Sequence, residues 1–263
     1  MEFSKDSLQH LLSGNRFVRA IDFHATVDST NRVASNRAMN GAEEGTVIIA
    51  DSQTGGRGRL GRVWQSPPGV NLYLSVILRP VIETFRAPQL TLMTGVAVAE
   101  TMREYGGRDI TIKWPNDVLI GGKKVSGILT EIRTERGKID FVVVGMGVNI
   151  NIEKALFHTD FRRTSTSLKE ETARSHSRSR FTVRLLETFV TWYERYCAQG
   201  FAPVKKEWME YAGITGKFIK VTDRDTVREG TVVGLDENGA LLLKEPDGEA
   251  TCVLSGDVTI IGE

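Results

Sequence analysis

Along most of the chain, short apolar runs with a period of two alternate with longer stretches in which apolar residues return every three or four positions. The short runs predict strands over 18–27, 46–50, 71–78, 110–114, 118–120 and 124–133. Gly121-Gly122 forms a tight hairpin turn, and a second hairpin leads back through 139–152. The longer stretches predict helices over 7–12, 32–39, 88–105, 181–196 and 204–211. In the third of these, Leu90, Leu92, Met93, Val96, Val98 and Met102 leave little polar face, so it should be buried on most sides. Phe181, Leu185, Phe189, Trp192 and Tyr196 instead mark one face of an amphipathic helix. Between them, 162–180 (RRTSTSLKEETARSHSRSR) has five Arg, five Ser and almost nothing apolar, which predicts a mobile connector with at most a brief helix.

Beyond Gly213 the pattern changes to five short β-rich runs, 217–222, 226–236, 240–244, 250–254 and 258–261, separated by turn signals such as Asp236-Glu237-Asn238-Gly239. The expected architecture is therefore α+β: a mixed sheet flanked by helices over residues 1–213, then a small β-barrel over 214–263. No internal repeat is visible.

Composition narrows the classes. A chain of 263 residues that is 40% hydrophobic and 25% charged can bury a core and is no disordered tail. A formal net charge of +1 excludes a global basic field, so any anion binding must be local. Cys197 and Cys252 have neither zinc-site spacing nor the density of a disulfide scaffold, which fits a reducing, cytoplasmic setting. No apolar segment reaches the ~20 residues of a membrane helix, and 1–15 does not read as a signal sequence.

Two segments concentrate chemistry. Gly55-Gly56-Arg57-Gly58-Arg59-Leu60-Gly61-Arg62 combines glycines and guanidinium groups that could approach one phosphate or carboxylate together. It lacks the Lys-Ser/Thr of a Walker loop and the spacing of a dinucleotide fingerprint, and a flexible loop or a single-strand RNA segment are the competing readings. Lys113-Trp114-Pro115-Asn116-Asp117 precedes Lys124 and Gly127 across a hairpin, which brings Lys113, Asp117 and Lys124 around one turn. Two ammonium groups beside a carboxylate suit phosphoryl chemistry, and Asn116 and Asp117 offer hard oxygens to magnesium, although Pro-Asn-Asp is also an ordinary turn. Ser29, Thr30 and Asn31 read first as a helix cap and second as polar groups open to a ligand. Gly145 and Gly147 read as tight packing or as room for a flat ligand against a sheet. The four histidines carry no metal spacing.

Taken in order, STN, QTGGRGRLGRVWQS, KWPNDVLIGGKKVSGILTE, VVGMGVNIN and a β-rich tail with GLDENGALLL resemble the motif series of biotin protein ligases over nearly the whole chain. The resemblance implies a fold like that of class II aminoacyl-tRNA synthetases with a Src-homology-like tail. It also implies two steps: biotin and ATP give biotinyl-adenylate and pyrophosphate, and a lysine of a biotin carboxyl carrier domain then takes the biotinyl group. Carried over by motif, Ser29, Thr30, Asn31, Gln53, Gly56, Gly127, Leu129, Gly145 and Gly147 would form the biotin pocket. Arg57, Gly58 and Arg59 would close over the carboxylate and the adenylate phosphate. Arg62 would face pyrophosphate, Trp64 would bound the nucleotide pocket, and Asn149 would contact adenosine. Lys124 would sit between carboxylate and α-phosphate with Lys113 assisting, and Asn116 and Asp117 would lie near Mg2+. The resemblance further implies a weakly held homodimer. Long members of the family carry a helix-turn-helix domain ahead of STN, whereas only 28 residues precede Ser29 here, so DNA binding is not expected. The rival readings are a lipoate ligase or octanoyl transferase, and a non-catalytic RNA-binding module.

Overall fold

The computed structural model describes residues 2–223 and 226–261. Among them, seven strands form one sheet in the order β1-β2-β3-β7-β6-β5-β4. These are β1 (Ala20–Val27), β2 (Thr46–Gln53), β3 (Leu72–Leu78), β4 (Ile110–Lys113), β5 (Asp117–Ile120), β6 (Lys123–Glu135) and β7 (Lys138–Val148). β1 pairs with β2 in parallel and every other neighbour is antiparallel, so the sheet is mixed.

Period-two alternation sorts the central strands between two faces. Val47 and Ile49 of β2, Leu72, Leu74, Val76 and Leu78 of β3, and Val142, Val144, Met146 and Val148 of β7 join the main core. That core lies under α3 (Pro88–Glu104), α5 (Arg178–Gln199) and α6 (Ala202–Tyr211). On the opposite face Ile48, Ile77, Phe141 and Val143 pack against Ala34 and Ala38 of α2 (Thr30–Met39). Helices on both faces explain why all seven residues of β3 are buried and why its sequence is nearly unbroken apolar. α1 (Lys5–Leu11) closes over β1 and α5. α3 begins with Pro88, whose missing N–H costs nothing in a first turn, and the chain leaves its end through Gly106 at φ +94.

The connector differs from expectation. Ser167 caps a short helix, α4 (Leu168–Thr172), by accepting from the Glu170 N–H, and α5 already starts at Arg178 behind a Ser177 cap. Lys124 N–H donates to Thr164 O at 2.8 Å and Asn149 Nδ2 donates to Thr166 O at 3.1 Å. The polar run is ordered because its backbone is bound to β6 and to the end of β7, which composition does not reveal.

The tail forms a second, antiparallel sheet in the order β11-β10-β9-β8-β12. Its strands are β8 (Phe218–Asp223), β9 (Thr226–Leu235), β10 (Leu241–Lys244), β11 (Ala250–Val253) and β12 (Asp257–Ile260), a Src-homology-like unit. Of the expected 1–213 and 214–263 units, positions 1, 224–225 and 262–263 lie outside the described residues. The 236–239 turn of the tail docks on the main core, where Trp114 Nε1 donates to Gly239 O at 3.2 Å and Gln89 Nε2 donates to Glu237 O at 3.2 Å.

Candidate active site

Strand register builds the floor of the site. Ala50, Tyr73, Gly147, Gly127, Asp117 and Lys113 are successive cross-strand partners from β2 to β4, so one row on the α2 face runs from apolar residues through two glycines to a carboxylate and an ammonium. The next row sets Ser75, Gly145 and Leu129 side by side. Glycine at 145 and 147 lets the Asn31 amide and the Trp64 indole lie close against the floor, where Phe141 and Val143 of the same strand fill it with their own side chains. A register shift between β5 and β6 leaves Val125 as an extra residue, and this bulge aims Lys124 to the same face as Asp117 and Gly127.

Over this floor lies a cavity of about 850 Å3. Of the residues singled out from sequence, Ser29, Thr30, Asn31, Gln53, Arg57, Gly58, Arg59, Arg62, Trp64, Lys113, Asn116, Asp117, Lys124, Gly127, Leu129, Gly145, Gly147 and Asn149 all line it. Gly56 does not. It is buried beneath the loop, where a Cβ would stand 2.4 Å from Trp64 O and 2.6 Å from Ser66 Oγ, so glycine is required there by packing. The sequence reading missed Tyr73, Phe157, Phe161 and Asp257, which complete the wall.

The glycine-arginine segment is an ordered hairpin. Gly58 N–H donates to Arg62 O at 2.7 Å and Trp64 N–H donates to Gly56 O at 2.9 Å, with Leu60 at φ 55 on the exposed tip. Its three guanidinium groups do not converge. Arg57 lies 3.6 Å from Glu131, Arg59 donates to Asn116 Oδ1 at 3.3 Å and to Gly256 O at 3.4 Å, and Arg62 pairs with Asp257 of the tail. Burial lowers the Arg59 pKa, with Asp257 and Asp117 opposing, and the group stays charged.

At the other end, Ser29 holds the N-cap position of α2 without a side-chain capping bond. The capping role falls to Gln53, whose Oε1 accepts from Thr30 N–H at 2.9 Å and from Thr30 Oγ1 at 3.2 Å. The Ser29 hydroxyl is thereby spared for a ligand. Asn149 spends its amide on Thr166 O and accepts from Asn71 Nδ2 at 3.3 Å, so it braces the connector at the cavity edge.

Five cations and three anions line the cavity: Arg57, Arg59, Arg62, Lys113 and Lys124 against Asp117, Asp160 and Asp257. Lys124 Nζ lies 2.6 Å from Asp117 Oδ1, an ion pair whose alignment falls short of a hydrogen bond, and 5.3 Å from the Trp64 ring centre. Burial pushes the Lys113 pKa down, Asp117 and Asp257 pull it back, and Lys124 and Arg62 press it lower. The Trp64 indole lies on the glycine floor, where Cβ atoms at Gly147 and Gly127 would come within 2.4 and 2.9 Å of it. Its Nε1 is buried without a hydrogen-bond partner among the described residues.

No group of three or more His, Cys, Asp or Glu that could hold a metal occurs among the described residues. Asp117 offers one carboxylate, while the Asn116 side chain is engaged by Arg59 and donates to Ile128 O at 2.9 Å. With Asp257 held by Arg62, Asp117 beside a cationic wall fits Mg2+ carried mainly by nucleotide phosphates, not an ion in a protein cage.

Residues 23–149 match the Biotin/lipoate A/B protein ligase family, and residues 214–260 match the Biotin protein ligase C terminal domain. The bifunctional ligase/repressor BirA of Bacillus subtilis is 38% identical over 226 residues, which cover 86% of this chain and 70% of that protein. The chain belongs to the biotin protein ligase family. Another relative, the biotin--[acetyl-CoA-carboxylase] ligase of Paracoccus denitrificans, is 33% identical over 85% of this chain and 94% of its own length. The biotin protein ligase of Aquifex aeolicus, solved in complex with biotin and ATP, superposes with a TM-score of 0.79 at 30% identity, covering 92% of this chain and 98% of that one. The family is one of ligases, and its two matched segments fall on the mixed sheet and on the antiparallel tail.

Proposed function

We propose that this chain activates biotin with ATP and passes it to a lysine of a biotin carboxyl carrier domain. The observation that carries the reading is the cross-strand row, which leads from a glycine floor able to take a flat ring to Lys113, Asp117 and Lys124. The bicyclic ring would lie over Gly147 once the Trp64 indole swings off it, beside the Asn31 amide that covers Gly145, with its polar head toward Ser29, Thr30 and Gln53 and its valeryl chain along Gly127 and Leu129. Its carboxylate would meet the cationic end. There a carboxylate oxygen attacks the α-phosphorus, and the bond to the bridging oxygen of pyrophosphate breaks. Lys124 and Lys113 offset the repulsion between two anions, and Arg57, Arg59 and Arg62 take up phosphate charge. Asp117 would hold Mg2+ together with the nucleotide, the ion supplying charge neutralisation on the phosphates. In the second step the carrier amine attacks the acyl carbon, and AMP leaves with the acyl C–O bond electrons.

Trp64 would bound the nucleotide, and the hairpin from Gly55 to Trp64 would shield the mixed anhydride from water. A catalytic unit over 1–213 and an accessory unit over 214–263 describe the division of labour. β1 and β4 end the sheet order, and because β4 is bridged at Ile112 by Ala212, the outer edge of β1 is where a second copy would pair to give the homodimer. No helix among the described residues is long and apolar enough to cross a membrane, and two free cysteines fit the cytoplasm.

Exchange of labelled pyrophosphate into ATP, with Mg2+ and biotin, lipoate, octanoate or no acid, tests the reading. Exchange with biotin alone is expected. Exchange with lipoate or octanoate alone would move the chain to the lipoate branch, and none with any acid would refute adenylation.

A further inference from the structure

The polar residues beneath the head of the pocket are held from behind by two side chains to which the motifs assign no role, Ser75 and Glu131. Ser75 is fully buried in the otherwise apolar run of β3, opposite Gly145. Its Oγ lies 2.7 Å from Asn31 Oδ1 and 2.8 Å from Thr30 Oγ1. Glu131 stands two residues beyond Leu129 on β6, and its Oε2 accepts from Asn31 Nδ2 at 2.8 Å. The same Asn31 amide donates to Leu129 O at 3.1 Å, so both of its N–H groups are spent on the protein.

Counting protons shows what Ser75 contributes. Gln53 Oε1, Thr30 Oγ1, Ser75 Oγ and Asn31 Oδ1 form a chain of three short contacts, with one hydroxyl proton on Thr30 and one on Ser75. Gln53 Oε1 already receives the Thr30 backbone N–H. Thr30 Oγ1 donates to Gln53 Oε1, and the buried Ser75 hydroxyl, set between Thr30 Oγ1 and Asn31 Oδ1, donates toward those two acceptors. Thr30 Oγ1 has then given its proton away and can only accept, as a ring N–H of a cyclic urea requires. Without Ser75 the Asn31 carbonyl and the Thr30 hydroxyl lose the donor they share. Without Glu131 the Asn31 amide is free to turn.

We propose that Ser75 and Glu131 are positioning residues for biotin: acting through Asn31 and Thr30, they fix the direction of the hydrogen bonds that receive the ureido head. The assignment rests on the biotin reading above. Glu131 also faces Arg57 of the hairpin at 3.6 Å, so its two roles need separating. Glu131→Gln keeps a carbonyl oxygen for the Asn31 amide and loses the charge facing Arg57, whereas Glu131→Ala loses both.

The test is biotin-dependent pyrophosphate exchange by the full chain, with KM for biotin, KM for ATP and kcat measured for wild type, Ser75→Ala, Glu131→Ala and Glu131→Gln. Ser75→Ala and Glu131→Ala should each raise KM for biotin about tenfold, the effect of one buried hydrogen bond, with KM for ATP and kcat within about twofold. Glu131→Gln should stay near wild type. If KM for biotin does not move, or both KM values and kcat worsen together, the positioning role is wrong. Equal effects of Glu131→Gln and Glu131→Ala would place the role in the pairing with Arg57 and overturn the relay. Should Ser75→Ala fail to fold, the half-exposed Glu131 pair decides alone. Absence of exchange in wild type would refute the biotin reading instead, so the two failures are distinct.

Discussion

Replacing Gly145 by alanine is expected to destabilise the chain through one defined event. A Cβ on residue 145 would stand 2.0 Å from Asn31 Oδ1, 2.8 Å from its Cγ and 3.1 Å from its Nδ2, so the whole amide must turn away. Turning it breaks the bond from Ser75 and the bonds to Leu129 O and Glu131, in a residue only 3% exposed. Two neutral hydrogen bonds at about 1 kcal/mol and one to a charged group at about 1.5 kcal/mol put the loss at about 3.5 kcal/mol. For a protein of this size that corresponds to a fall in Tm of about 7 to 14 °C. Differential scanning fluorimetry on the apo protein measures it. Gly147→Ala is the control, because its Cβ would meet the Trp64 ring at 2.4 Å, a side chain on the hairpin that can swing out. It should lower Tm by less than half as much. A Tm within about 2 °C of wild type for Gly145→Ala would refute the reasoning, since it would mean that the amide finds equal partners elsewhere.

Three further outcomes follow from the charged end. Lys124→Ala should slow pyrophosphate exchange ~10²- to 10³-fold with Tm little changed, because the removed group is a preorganised cation at the cavity wall; near-normal turnover would rule out its role. Arg59→Gly removes the donors to Asn116 and Gly256 and should release biotinyl-adenylate into solution faster, read as adenylate in the filtrate without carrier; unchanged release would count against a shielding hairpin. Lys113 titrates below its ordinary 10.5, so kcat/KM should fall with rising pH before free lysine would lose its proton. Asp257→Asn deletes a charge that favours the ammonium form and should move that alkaline limb to lower pH, whereas no shift or an upward one in the pH profile would contradict the assignment.

The helix and strand order was legible because both faces of the sheet are covered, and a continuous apolar run as short as 72–78 suits a strand buried on both sides. The connector was not. Its Arg and Ser residues find partners far away in sequence, such as Asp51 for Arg178 at 2.6 Å, and local polarity cannot show that. In the site, glycines and cations were readable because their chemistry is unusual where it stands. Ser75 left one faint signal, a hydroxyl inside an apolar strand. Glu131 closes the KWPNDVLIGGKKVSGILTE run without standing out in it and Asp257 left no signal, because a carboxylate on a strand is ordinary until the fold places it against Asn31 or Arg62. Ser29 does stand at the N-cap position but its side chain makes no capping bond, and the Thr30 N–H beside it goes to Gln53, a residue distant in sequence.

The attachment of the tail has a thermodynamic consequence. One seam, through Trp114, Gln89 and the Lys205–Glu237 ion pair to the 236–239 turn, is made by groups outside the cavity; the other, through Arg59 and Arg62 to Gly256 and Asp257, is made by groups that face it. An anion that draws those guanidinium groups inward must loosen the second seam and leave the first. Linkage makes the coupling symmetric: whatever free energy the tail's grip on the hairpin takes from anion affinity, a bound anion takes from that grip. Asp257 and the Gly256 carbonyl of the tail thus stand as internal competitors of a bound anion for the same two guanidinium groups.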